Sequence, residues 1–210
     1  MNSHTNKLGF WTRLKNWLLP PLLLFWLICL PLALLVYTPW AYQVNCHWNK
    51  RCERLGTELS KRSMLEISQF FRHQYQLQSP WSETEQLHMQ EVRVIYDSSF
   101  LVFALISLLL LLEWRFGGGV AQLGRHAKGS LWLIGILSAA IALLSPFFSY
   151  FWMEIFHPLV FDNERWRTTP QDISWYLMPK NFFLRVSIFI ALSALLLNLL
   201  LIRLLPSHHK

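Results

Sequence analysis

Two histidines stand in settings where an imidazole ring could move protons. His88 is followed by Glu91, Val92 and Arg93. On a helix a spacing of three puts His88 and Glu91 on one face, where the carboxylate can orient the ring. His157 lies between Phe156 and Pro158, and Asp162, Asn163 and Trp166 follow within one short stretch. A proline disfavours helical geometry in the residue before it, so His157 is expected where an apolar helix stops. Imidazole changes charge near neutral pH, and carboxylates and an amide beside it suit general acid–base catalysis. The same groups could ligate a metal through His88, His157 and Asp162. The chain has no H-E-x-x-H run and no G-x-S-x-G elbow, so neither a metalloprotease helix nor a serine nucleophile is indicated. The plain structural alternative is that His157 caps a helix and touches lipid headgroups.

Cys46 and Cys52 stand six apart in CHWNKRC. Outside the cytoplasm such a pair suits a small disulfide, with free thiols or a redox pair as alternatives. The C-x-x-C spacing of a zinc or redox motif is absent. Cys29 lies within an apolar run and is read as packing. Gly117-Gly118-Gly119 lacks the G-K-[ST] of a phosphate loop and reads as a flexible turn.

The elements that must position these groups are membrane helices. Apolar residues make up 53% of the 210 and charged residues only 15%, which excludes an ordinary soluble domain. Trp17–Thr38 runs without a charge for about 33 Å of helix at roughly 1.5 Å per residue, one bilayer crossing. It exceeds the hydrophobic core of a signal peptide, and no small-x-small cleavage site follows, so it reads as an uncleaved first span. Further spans are expected at 98–114, 131–153 and 182–205. The predicted fold class is an all-α membrane protein, one membrane domain over 1–210 with four transmembrane helices. A helical loop region lies between spans one and two. There Arg54–Tyr75 reads as a helix with an apolar stripe of Met64, Ile67, Phe70, Phe71 and Tyr75. Ser82 and Glu85 form a capping box that starts the helix leading into span two.

Orientation follows from the distribution of cations. The tail before span one holds Lys7, Arg13 and Lys15, and the loop between spans two and three holds Arg115, Arg125 and Lys128, all without an acidic residue. Both termini are therefore expected in the cytoplasm, with 39–97 and 154–181 extracytoplasmic. His88 and His157 fall on that outer side, while the terminal His208-His209 pair falls on the inner side as a solvated tail. The net charge of +7 is spread along the chain and suits anionic membrane lipids, not nucleic acid.

SETEQLHMQEVRVIY (Ser82–Tyr96) and FHPLVFDNERWRTTPQDISWYLMPKNFF (Phe156–Phe183) resemble the two signature segments of the lipoprotein intramolecular transacylase (Lit) family, bacterial membrane proteins with four spans. The resemblance rests on His88 with Glu91-Val92-Arg93, and on Phe156-His157, Phe161, Asn163, Trp166, Pro170, Asp172 and Pro179 to Phe183. Span count and orientation agree with it. Thr169-Pro170 and Lys180-Asn181 depart from the family pattern, as does the Cys46–Cys52 pair.

The resemblance implies a reaction. Such enzymes move the sn-2 acyl chain of a diacylglyceryl-modified lipoprotein onto the α-amino group of its N-terminal cysteine, giving the lyso form. It also implies that His88 and His157 are catalytic and that the site faces outward from the bacterial inner membrane. Because the substrate's own amine is the nucleophile, no enzyme serine or cysteine is required, and neither a cofactor nor a metal is expected. His88 oriented by Glu91 suits the base and His157 the donor to the oxyanion or leaving oxygen, or the reverse. Arg93, Asp162, Asn163 and Trp166 are the expected supporting residues. The competing classes are a non-catalytic membrane assembly or scaffold protein of the same fold and another lipid-modifying enzyme.

Overall fold

The computed structural model describes residues 2–117 and 119–205, with side chains from Arg13 onward. The Lys7 side chain, Gly118 and His208-His209 lie outside the described residues. In chain order the helices are α1 (Asn2–Tyr37), α2 (Trp40–Trp48), α3 (Lys50–Leu55), α4 (Thr57–Phe71), α5 (Glu83–Phe116) and α6 (Gly119–Leu144). A 3-10 turn at Ser145–Phe147, α7 (Phe148–Tyr150), a π-helical turn at Phe151–Phe156 and α8 (His157–Val160) continue from α6; α9 (Ile173–Leu177) and α10 (Lys180–Leu204) complete the order. No strand occurs among the described residues. Four helical stretches, Arg13–Tyr37, Glu83–Phe116, Gly119–Val160 and Lys180–Leu204, are long and apolar enough to cross a membrane. The protein is thus an all-α membrane protein with four transmembrane helices.

The chain divides into two compact units. The first comprises Met1–Pro31, Ser99–Ala140 and Ile190–Lys210. Its core is Leu23, Leu27, Ala127, Ile134 and Ala194. In lipid, packing of small residues and interhelical hydrogen bonds hold helices together, because burying leucine gains little against acyl chains. Both devices are present. A Cβ on Gly129 would come within 2.9 Å of the Pro20 ring, so glycine allows α6 to approach the proline-bearing part of α1. Ser130 donates to Asn198 at 3.0 Å, Asn198 donates to the Ala127 carbonyl at 2.9 Å, and the Trp26 indole donates to Ser107 at 2.8 Å. Lys15 pairs with the buried Glu113 at 2.8 Å. Helix α1 passes through Pro20, Pro21 and Pro31 without a break.

The second unit comprises Leu32–Ser98 and Ile141–Phe189 and contains both candidate histidines. The helix expected over 54–75 is divided at Gly56, whose φ of +85° is a conformation that L side chains rarely adopt, and α4 ends at Phe71. The predicted stripe faces inward: Met64, Ile67, Phe70 and Phe71 are all buried. Glu66, buried beside them, accepts from Arg62 at 2.6 Å, the Trp81 indole at 3.0 Å and Tyr75 at 3.3 Å. The capping box forms as expected, with Ser82 N–H donating to Glu85 at 2.9 Å and Glu85 N–H to the Ser82 hydroxyl at 3.3 Å. The other Glu85 oxygen accepts from both the backbone N–H and the hydroxyl of Ser174 at 2.6 Å. One buried carboxylate therefore starts α5 and ties it to α9.

Candidate active site

The two histidines meet different groups on their own helical stretches, a facing carboxylate for His88 and a backbone carbonyl for His157. His88 lies in the second turn of α5, one turn before Glu91, and its Nδ1 is 3.6 Å from a Glu91 oxygen. That distance is too long for a hydrogen bond. His88 Nδ1 and Glu91 Oε2 are both buried without a hydrogen-bond partner. The two facing atoms are therefore left unpaired, close enough for a small side-chain movement to join them. The other Glu91 oxygen is clamped by Asn163 at 3.0 Å and Arg165 at 2.6 Å.

His157 departs from the simple expectation. Its backbone is helical, φ −63° and ψ −46°, and the helix runs on to Val160 instead of stopping at the histidine. Pro158 has no N–H to donate and its ring crowds the carbonyl one turn back, so an ordinary α-turn is disfavoured there. The chain answers by widening into the π-turn at Phe151–Phe156, in which the His157 N–H bonds to the Trp152 carbonyl. Such π-turns recur at functional sites. The same carbonyl lies 2.6 Å from His157 Nδ1. A carbonyl only accepts, so Nδ1 carries the proton, and in the neutral ring Nε2 presents a lone pair.

The two rings meet, with centroids 6.2 Å apart. Phe161 lies 4.8 Å from His88 and 5.8 Å from His157, and Trp166 lies 4.7 Å from His157. Trp152 packs edge-on to His157 at 4.9 Å and stacks on Phe183 at 4.5 Å. Two cavities converge on the pair and share His88, Met89, Trp152, His157, Met178 and Phe183. One, about 520 Å³, is the more polar of the two, its walls divided about evenly between polar groups such as Arg51, Thr168, Ser174, Lys180 and Asn181 and apolar ones such as Trp166 and Trp175. The other, about 390 Å³, is mainly apolar and includes Leu35, Phe71, Val92, Phe182 and Val186. Tyr42 also lines it, and burial, reinforced by Tyr96, pushes its phenol far above the ordinary value, so it stays neutral.

The other sequence candidates fall in several places. Asn163 joins the site through Glu91, and Trp166 is buried against His157 with its indole donating to the Asn163 carbonyl at 2.7 Å. Arg93 donates to the Phe70 carbonyl and covers the Phe70 ring, linking α5 to α4 and not to the histidines. Asp162 is exposed, and no cluster of three or more His, Cys, Asp or Glu side chains suited to a metal occurs among the described residues. Cys46 and Cys52 form a disulfide joining α2 to α3. Arg165, Arg51 and Trp152 were not singled out by spacing. Arg165 was visible only as a charge, and the role of Trp152 depends on a π-turn that sequence periodicity does not reveal.

The chain resembles the solved structure of the membrane integral lipoprotein intramolecular transacylase Lit from Bacillus cereus. The TM-score is 0.77 at 19% identity, covering 93% of this chain and 94% of that one, a likeness of fold. No curated protein sequence matches the chain. The model of the family described as lipoprotein intramolecular transacylase Lit matches residues 18–183, which include both histidines, Glu91 and the whole clamp of Asn163 and Arg165. On that match the chain belongs to the lipoprotein intramolecular transacylase Lit family.

Proposed function

We propose that the protein transfers the sn-2 acyl chain of a diacylglyceryl-modified lipoprotein to the α-amino group of that lipoprotein's N-terminal cysteine. The observation that carries this reading is the pair of imidazoles 6.2 Å apart at the junction of an apolar and a more polar cavity. An acyl chain suits the first cavity, and the glycerol and peptide end suits the second.

The residues divide the proton work. An α-amino group, with an ordinary pKa near 8, arrives mainly protonated. The Nε2 lone pair of His157 takes one proton and frees the amine to attack the ester carbonyl. His88 removes a second proton from the nitrogen of the tetrahedral intermediate, and Glu91 stabilises the resulting imidazolium. The His157 imidazolium then protonates the departing glycerol oxygen as the C–O bond breaks. The products are the amide, the free hydroxyl and one proton released from His88. Holding amine and ester of one molecule together replaces a bimolecular encounter, a contribution of roughly 7–11 kcal/mol in well-aligned systems.

The site faces outward from the bacterial inner membrane, with both termini in the cytoplasm, a placement supported by the cation-rich, acid-free 115–130 segment. The test is fragmentation mass spectrometry of a reporter lipoprotein's N-terminal peptide from cells expressing the wild type, His88→Ala or His157→Ala. Only the wild type should yield the N-acyl, S-monoacylglyceryl form while all three accumulate in the membrane. Lyso-form product from either variant at the wild-type level would refute the assignment.

A further inference from the structure

A second pair of cavities adjoins those of the histidines without including either ring, sharing Arg51 and Asn181 with the larger of them and Leu35 and Val186 with the apolar one. One, about 190 Å³, is lined by Lys50, Arg51 and Arg185 with Asn45, Asn49 and Asn181, and holds no acidic residue. The other, about 130 Å³, is an apolar groove that includes Leu35, Trp40, Val44, Val186 and Phe189. Asn45, Trp48 and Arg185 line both, so the basic cavity opens directly onto the groove. Among the described residues none of the three cations has a carboxylate partner. Arg51 is held over the Trp175 ring, 3.8 Å from its centroid, and Arg185 faces Trp48 at 5.6 Å and Asn45 at 3.5 Å.

The frame is preformed. The Cys46–Cys52 disulfide closes the segment carrying Trp48, Lys50 and Arg51. Asn49 ties that segment to α9, donating to the Tyr176 carbonyl at 2.8 Å while accepting from the Arg51 N–H at 3.0 Å. Trp40 and Trp48 are 41% and 72% exposed, as expected of indoles at a membrane boundary. From this geometry we propose that the cavity and groove together bind an anionic phospholipid. Its phosphate sits among Lys50, Arg51 and Arg185, and an acyl chain lies along Val186 and Phe189. Three cations without a counter-charge favour a headgroup with net negative charge. A zwitterionic headgroup would bring its own ammonium against them. Arg51 also lines the more polar cavity of the histidine site, so the bound lipid borders the substrate's polar end.

The test is native mass spectrometry of the full-length protein taken from vesicles of equal parts phosphatidylglycerol, phosphatidylethanolamine and phosphatidylcholine. Lipid retention is the readout, so the result is independent of acyl transfer. Wild type should retain phosphatidylglycerol over the other two by about tenfold, and Lys50→Gln/Arg185→Gln should erase the preference. Lys50→Glu, at an exposed side chain, gives a second test should the double variant fail to fold, and should also erase it. Inorganic phosphate should not displace the lipid, because it has no chain for the groove. Equal retention of the three lipids, an unchanged preference in a folded variant, or displacement by inorganic phosphate or a soluble acidic peptide would overturn the proposal.

Discussion

Glu91→Gln is the substitution that isolates the carboxylate from the ring it faces. The imidazole-to-carboxylate distance is 3.6 Å, and Gln preserves the shape and the acceptor oxygen for Asn163 while removing the charge. At an effective dielectric of about 20, opposite charges at that separation attract by roughly 4–5 kcal/mol. Arg165, 2.6 Å from the other oxygen, offsets much of this, and Glu91 is 28% exposed. About 1–2 kcal/mol of imidazolium stabilisation remains, a loss of roughly 5- to 30-fold in rate. The assay is the initial rate of N-acylated product from a synthetic diacylglyceryl lipopeptide in nanodiscs. If Glu91 acts through the His88 imidazolium, the loss falls on kcat with KM little changed, and Glu91→Asp, which keeps the charge, recovers part of the rate. A Glu91→Gln rate equal to wild type, or a loss confined to KM, would refute this role.

Two further expectations concern the scaffold. Glu66→Leu strands the buried Trp81 indole N–H, which now donates at 3.0 Å, and should cost about 1–3 kcal/mol, read as a lowered thermal midpoint; an unchanged midpoint would contradict it. Replacing Cys46 and Cys52 together by serine reopens a short loop and should lower stability by about 2 kcal/mol on the chain-entropy estimate, with faster proteolysis in the 46–55 region as the check.

Much of this arrangement was legible before any coordinates. The four apolar runs named the membrane helices, because hydropathy is a strong local signal. The Ser82–Glu85 capping box placed His88 on the second turn of α5 and so fixed its relation to Glu91. Sequence is ambiguous where one residue can be accommodated in two ways. Gly56 is compatible with a helix on paper but adopts φ +85° and divides it. Pro158 predicts a stop after His157, whereas a π-turn absorbs the missing N–H and creates the carbonyl that anchors the ring. Neither the second contact of Glu85 with Ser174 nor the Arg165 clamp on Glu91 has a sequence signature, since each joins segments more than seventy residues apart.

The central claim is that the acyl chain moves within one molecule under two histidines. The direct measurement uses a lipopeptide with a deuterated sn-2 chain and the purified full-length protein, followed by fragmentation mass spectrometry. Wild type should give a product of unchanged total mass with the label on the α-amino nitrogen, and His88→Ala and His157→Ala should leave it on the glycerol. Release of the label as free fatty acid, or its appearance on nitrogen at the wild-type rate with either histidine replaced, would contradict the account.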